Sequence, residues 1–186
     1  MLGRVVCFIF ALSSAYITMN ANADPINLGL VPPASPPARA LRHTEISYFD
    51  DWTVICQEFA DTPDKRSCSA QLQAQQSETN RTVLVWTVKT EAQRVTATLQ
   101  TLTGVTLAPG VELKPENSEG LKFTYETCEP NRCVASATLD EKFLRDAAKA
   151  EKASVAIHGV TGNTIRLDIS MKGFEKAVAQ LKANSD

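Results

Sequence analysis

From Trp52 onward, apolar and polar positions alternate along much of the chain with a period of two. Successive side chains of an extended strand point to opposite faces, so this alternation predicts strands with one buried face. Trp52 to Cys56 is a short β-rich run, and Cys68 to Gln75 sets Ala70, Leu72 and Ala74 against Gln71, Gln73 and Gln75. Thr82 to Thr90 and Arg94 to Leu102 are dense in β-branched residues, which pack well on a pleated surface. Leu121, Phe123 and Tyr125 alternate with Lys122, Thr124 and Glu126. Near the end, Ser154 to Val160 and Thr164 to Ser170 flank Thr161-Gly162-Asn163, which reads as a hairpin.

Two segments break the pattern. Asp140 can cap a helix running through about Ala150, with Phe143, Leu144, Ala147 and Ala148 on its buried face. Gly173 precedes a second helix, in which Phe174, Val178 and Leu181 make one stripe. Roughly seven to nine short strands with two brief helices predict an all-β fold, an immunoglobulin-like antiparallel β-sandwich, with a small β-barrel as the alternative. One such domain is expected over residues 48–186. Gly104 and Gly110 bracket Pro109 in a combination suited to a turn between strands.

The N-terminus has a different texture. One positive charge at Arg4, an apolar stretch from Val5 to Tyr16 and the small residues of Ala21-Asn22-Ala23 read as a secretory signal peptide, residues 1–23. Cleavage is expected between Ala23 and Asp24. The apolar stretch is shorter than the roughly 20 residues a bilayer core requires, so no transmembrane segment is expected in the mature chain. Residues 24–47 follow as an extended, Pro-rich lead, because five of the nine prolines fall between Asp24 and His43.

Export changes the meaning of the cysteines. Cys7 leaves with the leader, and Cys56, Cys68, Cys128 and Cys133 remain, an even number in an oxidising space. Of the three possible connectivities, proximity in sequence favours Cys56 with Cys68 and Cys128 with Cys133. On the chain-entropy model each bridge contributes about 2 to 3 kcal/mol. Zinc is the competing use, but neither spacing contains the C-x2-C knuckle of a zinc site, and no C-x-x-C redox motif occurs.

Composition narrows the functional classes. The chain has 186 residues, 44% of them hydrophobic and 22% charged, as expected of a globular domain. Its formal charge of −2 and dispersed basic residues give no field to hold nucleic acid. Two histidines leave little material for a metal site or a catalytic triad. No phosphate loop, nucleophile elbow or zinc-protease motif is found, and Asp50-Asp51 would point to opposite faces of a strand. The expected protein is therefore not an enzyme and carries no cofactor or metal. Trp52 and Trp86 read as core, and His158, at a strand end, as a hydrogen-bonded structural residue. Lys142, Arg145, Lys149 and Lys152 recur every three or four residues and mark one candidate contact stripe on the Asp140 helix.

These features come together in a resemblance. Asp51-Trp52-Thr53-Val54-Ile55-Cys56 with Cys68, Gly104-Val105-Thr106-Leu107-Ala108-Pro109-Gly110-Val111-Glu112-Leu113, the segment from Phe123 through Cys128 and Cys133 to Ala135, and Ser170-Met171-Lys172-Gly173-Phe174 occur in this order behind a signal peptide. In this the chain resembles the invasion-associated locus B family of exported bacterial proteins, from about Trp52 to Leu181. Arg132 departs from the family pattern, which usually has Gly before the second Cys, and so does the long Pro-rich lead. The resemblance implies a disulfide-bonded sandwich in the periplasm, at the cell surface or secreted, from a Gram-negative bacterium. It also implies a binding protein whose partner is a protein or envelope component, including a host-cell surface component. The alternative is a periplasmic accessory subunit or assembly factor of an envelope complex. A third reading is an enzyme or redox carrier using the Cys128 to Cys133 loop.

Overall fold

Among the described residues, ten antiparallel strands and two helices hold most of the chain. The computed structural model describes residues 39–184 apart from 92–93. The leader, the Ala23/Asp24 cleavage position and most of the Pro-rich lead lie outside the described residues. In chain order the elements are β1 (Leu41–Phe49), β2 (Trp52–Phe59), β3 (Thr62–Gln76), β4 (Arg81–Glu91), β5 (Arg94–Thr101) and β6 (Val111–Pro115). They continue with β7 (Leu121–Glu129), β8 (Arg132–Leu139), α1 (Glu141–Lys149), β9 (Lys152–His158), β10 (Thr164–Ser170) and α2 (Phe174–Ala183).

The strands form one ladder in the order β1-β2-β3-β4-β5-β8-β7-β6-β9-β10, and this sheet curls into a half-barrel. The antiparallel all-β architecture with two short helices is as expected. The difference lies in closure: the core is wrapped by a single continuous sheet with β1 and β10 at its two ends. The alternation seen in sequence is realised directly. Along β2 Trp52, Val54 and Cys56 are buried, and along β5 Val95, Ala97, Leu99 and Thr101 are buried. Their faces meet Leu72, Leu84, Trp86, Phe123 and Val155 in one apolar core.

β1 begins at Leu41, inside the segment assigned to the lead. Residues 41–47 are thus part of the sheet, with Glu45, Ser47 and Phe49 opposite Cys56, Val54 and Trp52 of β2. The predicted hairpin is present as β9 and β10, paired from Thr164↔His158 to Ser170↔Lys152. Asp140 caps α1 by accepting a 2.7 Å hydrogen bond from the Phe143 backbone N–H. Phe143, Leu144 and Ala147 are buried as expected, whereas Ala148 is half-buried. In α2, Phe174, Val178 and Leu181 are buried together with Ala177, and the helix packs on the β1 to β4 part of the sheet.

Candidate functional site

The two disulfides join neighbouring strands. Cys56 and Cys68 stand directly opposite in β2 and β3, and Cys128 and Cys133 stand opposite in β7 and β8. Both bonds are formed, with Cα atoms 4.0 Å apart in each. Pairing between sequence neighbours follows from register: the two hairpins bring those residues face to face before any sulfur chemistry. This consumes the four cysteines of the described chain and leaves none for a zinc site. The turn between Cys128 and Cys133 also shows why Arg132 is tolerated. None of its residues adopts positive φ, and Arg132 Nε donates to Glu129 Oε2 at 3.1 Å.

The first and last motifs of the resemblance meet in the core. Trp52 and Trp86 pack edge to face with centroids 4.9 Å apart, and Phe174 lies 5.1 Å from the first ring and 5.4 Å from the second. Gly173 delivers Phe174 to that position. It adopts φ +88, and a Cβ on it would lie 1.9 Å from the Phe49 carbonyl oxygen. Only glycine fits so close to the β1–β2 turn. The Lys172 carbonyl accepts a 3.4 Å hydrogen bond from the Asp51 N–H, and Lys176 approaches Asp50 at 3.8 Å. The middle motif works in the same manner, because Gly110 at φ +72 presses against the Phe123 carbonyl of β7. These residues therefore serve packing and chain direction.

Other residues singled out in sequence are dispersed. His158 Nδ1 lies 3.2 Å from the Thr164 hydroxyl across the β9–β10 pair, as expected of a structural histidine. The candidate contact stripe is not one helical face. α1 stops at Lys149, where Ala150 turns extended, so Lys152 belongs to β9 and only Lys142, Arg145 and Lys149 share the helix. Lys142 is bound on both sides, to Asp146 and Glu119 at 3.3 Å each. Those hydrogen bonds, Asp146 first, push its pKa up from the ordinary lysine value.

The feature sequence reasoning missed is the outer strand. β1 has β2 on one side, and among the described residues nothing pairs with its other edge. On its convex face Ile46 is 50% and Tyr48 75% exposed, beside the half-buried Ile55 of β2. The opposite terminal strand, β10, likewise exposes an apolar side chain, Ile165, and carries Arg166 and Asp168 along its exposed length, as β1 carries Arg42 and Glu45. A period-2 signal in Thr44, Ile46 and Tyr48 was present in the sequence. Its flanking prolines and the polar Glu45 and Ser47 on the other face concealed it.

Comparison with known proteins agrees with this architecture. Residues 52–182 match the family described as invasion associated locus B (IalB) protein. Two invasion protein B homologs of Brucella abortus, from strain 2308 and from biovar 1 (strain 9-941), are each 28% identical over 137 residues. The alignment covers 73% of this chain and 78% of theirs. The crystal structure of invasion associated protein b from Bartonella henselae superposes with a TM-score of 0.65. It covers 75% of this chain and 95% of that one at 19% identity, a likeness of fold.

Proposed function

The chain belongs to the invasion associated locus B family, and from that premise we propose that it is an exported, non-enzymatic binding protein whose docking element is the free edge of β1. The observation that carries this reading is a nine-residue terminal strand with exposed Ile46 and Tyr48 beside an edge that no strand pairs among the described residues. An extended segment of a partner protein gains main-chain hydrogen bonds by adding to such an edge, and alternate side chains supply specificity. Two supports point to export: the secretory texture of residues 1–23 and the two disulfides, which persist in oxidising compartments. Among the described residues no helix is long and apolar enough to cross a membrane. Adhesion to a host cell and attachment to an envelope complex are the two settings in which such docking would act.

The test is capture by the purified, oxidised mature chain from gently solubilised envelopes and from host-cell surface extracts, in parallel with the double variant Ile46→Lys/Tyr48→Lys. Both side chains are exposed, so the variant should melt with the parent. The parent is expected to recover a reproducible partner that the variant loses. Recovery of the same partner by the variant at parental yield would refute docking on β1. The extract that yields the partner decides between the two settings.

A further inference from the structure

The β3–β4 hairpin reaches out of the sheet. The last register pair between β2 and β3 is Thr53↔Gln71, yet β3 continues to Gln76. On the other side the β4–β5 ladder ends at Leu84↔Thr101, whereas β4 begins at Arg81. The pairs Gln75↔Thr82 and Gln76↔Arg81 therefore have no further strand beside them among the described residues, and a register shift after Ala74 sets them apart from the rest of the ladder. Such an irregularity lets the end of a hairpin bend without disturbing the sheet behind it. All of residues 75–81 are exposed.

The tip of this arm reads Glu78-Thr79-Asn80-Arg81-Thr82. Asn80 adopts φ +51, and its backbone N–H donates to the Gln76 carbonyl at 2.9 Å. Asparagine suits left-handed backbone, so the turn explains the residue type at 80. It does not explain the neighbours. Asn117 has φ +58 in another turn, and the residues two places before and after it are Pro115 and Glu119. Around Asn80 those places hold a carboxylate and a hydroxyl. No other asparagine of the chain has Ser or Thr two residues after it. An exposed Asn-x-Thr is the acceptor pattern for N-linked glycosylation of exported chains. Glu78 adds a carboxylate on the near side, a handle for a cationic group of the modifying enzyme. These groups are also uncommitted: among the described residues the Asn80 carboxamide and the Thr82 hydroxyl make no hydrogen bond, and Glu78 makes no ion pair. The turn is held by Thr79 instead, whose hydroxyl donates to Gln76 Oε1 at 3.1 Å and accepts from the Arg81 N–H at 3.4 Å.

We propose that Asn80 is the attachment point of an N-linked glycan. The donor class is an oligosaccharide carried on a lipid diphosphate, and the partner is the membrane transferase that uses it. Asn80 Nδ2 bonds to the sugar C1 as the C1–O bond to the diphosphate breaks. The lipid diphosphate leaves with that electron pair, the Nδ2 proton passes to a carboxylate of the transferase, and nothing is oxidised or reduced. A carboxamide nitrogen is a weak nucleophile, because its lone pair is delocalised into the carbonyl. The enzyme must therefore grip both sides of it, and Glu78 and Thr82 are the grips. The inference rests on the export reading, since the donor is presented outside the cytoplasm, and is independent of the β1 edge.

The experiment is peptide mapping by mass spectrometry of the chain isolated from its own bacterium, together with Asn80→Asp, Thr82→Val and Thr82→Ser expressed there. Asp tolerates left-handed backbone as Asn does, and Val copies the shape of Thr, so the variants should melt close to the parent. The parent is expected to carry a sugar mass increment on the peptide that contains Asn80. That increment should be lost in Asn80→Asp and Thr82→Val and retained in Thr82→Ser. An unmodified Asn80 in a chain that starts at Asp24 overturns this inference alone, and one in a chain that keeps its leader overturns it together with export. An increment that persists in Thr82→Val, or that sits on another residue, also overturns it.

Discussion

A methyl group at Gly173 would sit 1.9 Å from the Phe49 carbonyl oxygen, whereas one at Gly162 would meet nothing within 4 Å, although both residues have positive φ. The two positions therefore separate backbone strain from steric overlap. Gly162→Ala should cost about 1 kcal/mol, the left-handed penalty alone. Gly173→Ala should cost roughly 3 kcal/mol or more, because Phe174 cannot reach Trp52 and Trp86 without that close approach. Equal losses in urea denaturation would contradict the assignment. Tyr125 supplies a second residue-level test. Burial pushes its phenol pKa up, partly offset by the hydrogen bond with Thr101. A raised folded-state value means a contribution to stability present below the unfolded tyrosine pKa, about 10, and lost as pH rises through the folded one. Ultraviolet titration of the folded chain should place Tyr125 ionisation above that reference, and Thr101→Val should raise it further.

At the scale of elements, local signals were legible where local physics decides. Period-2 alternation located β2 to β5, Asp140 announced α1, and Thr161-Gly162-Asn163 announced the β9–β10 hairpin. Asp140→Ala should therefore cost about 1 kcal/mol in thermal or chemical denaturation, since it leaves the Phe143 N–H without its acceptor. Where two explanations share one pattern, sequence misled. The spacing of Lys142, Arg145, Lys149 and Lys152 continues past the helix because no Gly or Pro marks its end, and Ala150 alone gives no hint that it turns extended. β1 was hidden because as a terminal strand it is exposed on both faces for most of its length. The disulfides follow from hairpin register, and their closed loops, 12 and 5 residues apart in sequence, rank their effects. Removing Cys56–Cys68 should destabilise by about 3 kcal/mol and Cys128–Cys133 by about 2 kcal/mol on the chain-entropy model. A reversed order in the two Cys→Ser pairs would show that the bridges act through native contacts instead.

For the whole molecule, the decisive contacts are non-local. Trp52, Trp86 and Phe174 meet only because α2 returns from the far end of the chain to cover the first strands. What the sequence did carry was the order of motifs that this architecture needs, with two cysteine pairs placed to lock hairpins. Export into an oxidising space followed by stapling of the curled sheet is thus the claim on which the proposed function rests. It is tested most directly by intact-mass measurement of the chain isolated from its own bacterium, with alkylation before and after reduction. The expected species begins at Asp24 and takes up reagent at Cys56, Cys68, Cys128 and Cys133 only after reduction. A folded chain that retains its leader, or that is alkylated at all of these cysteines before reduction, would contradict it.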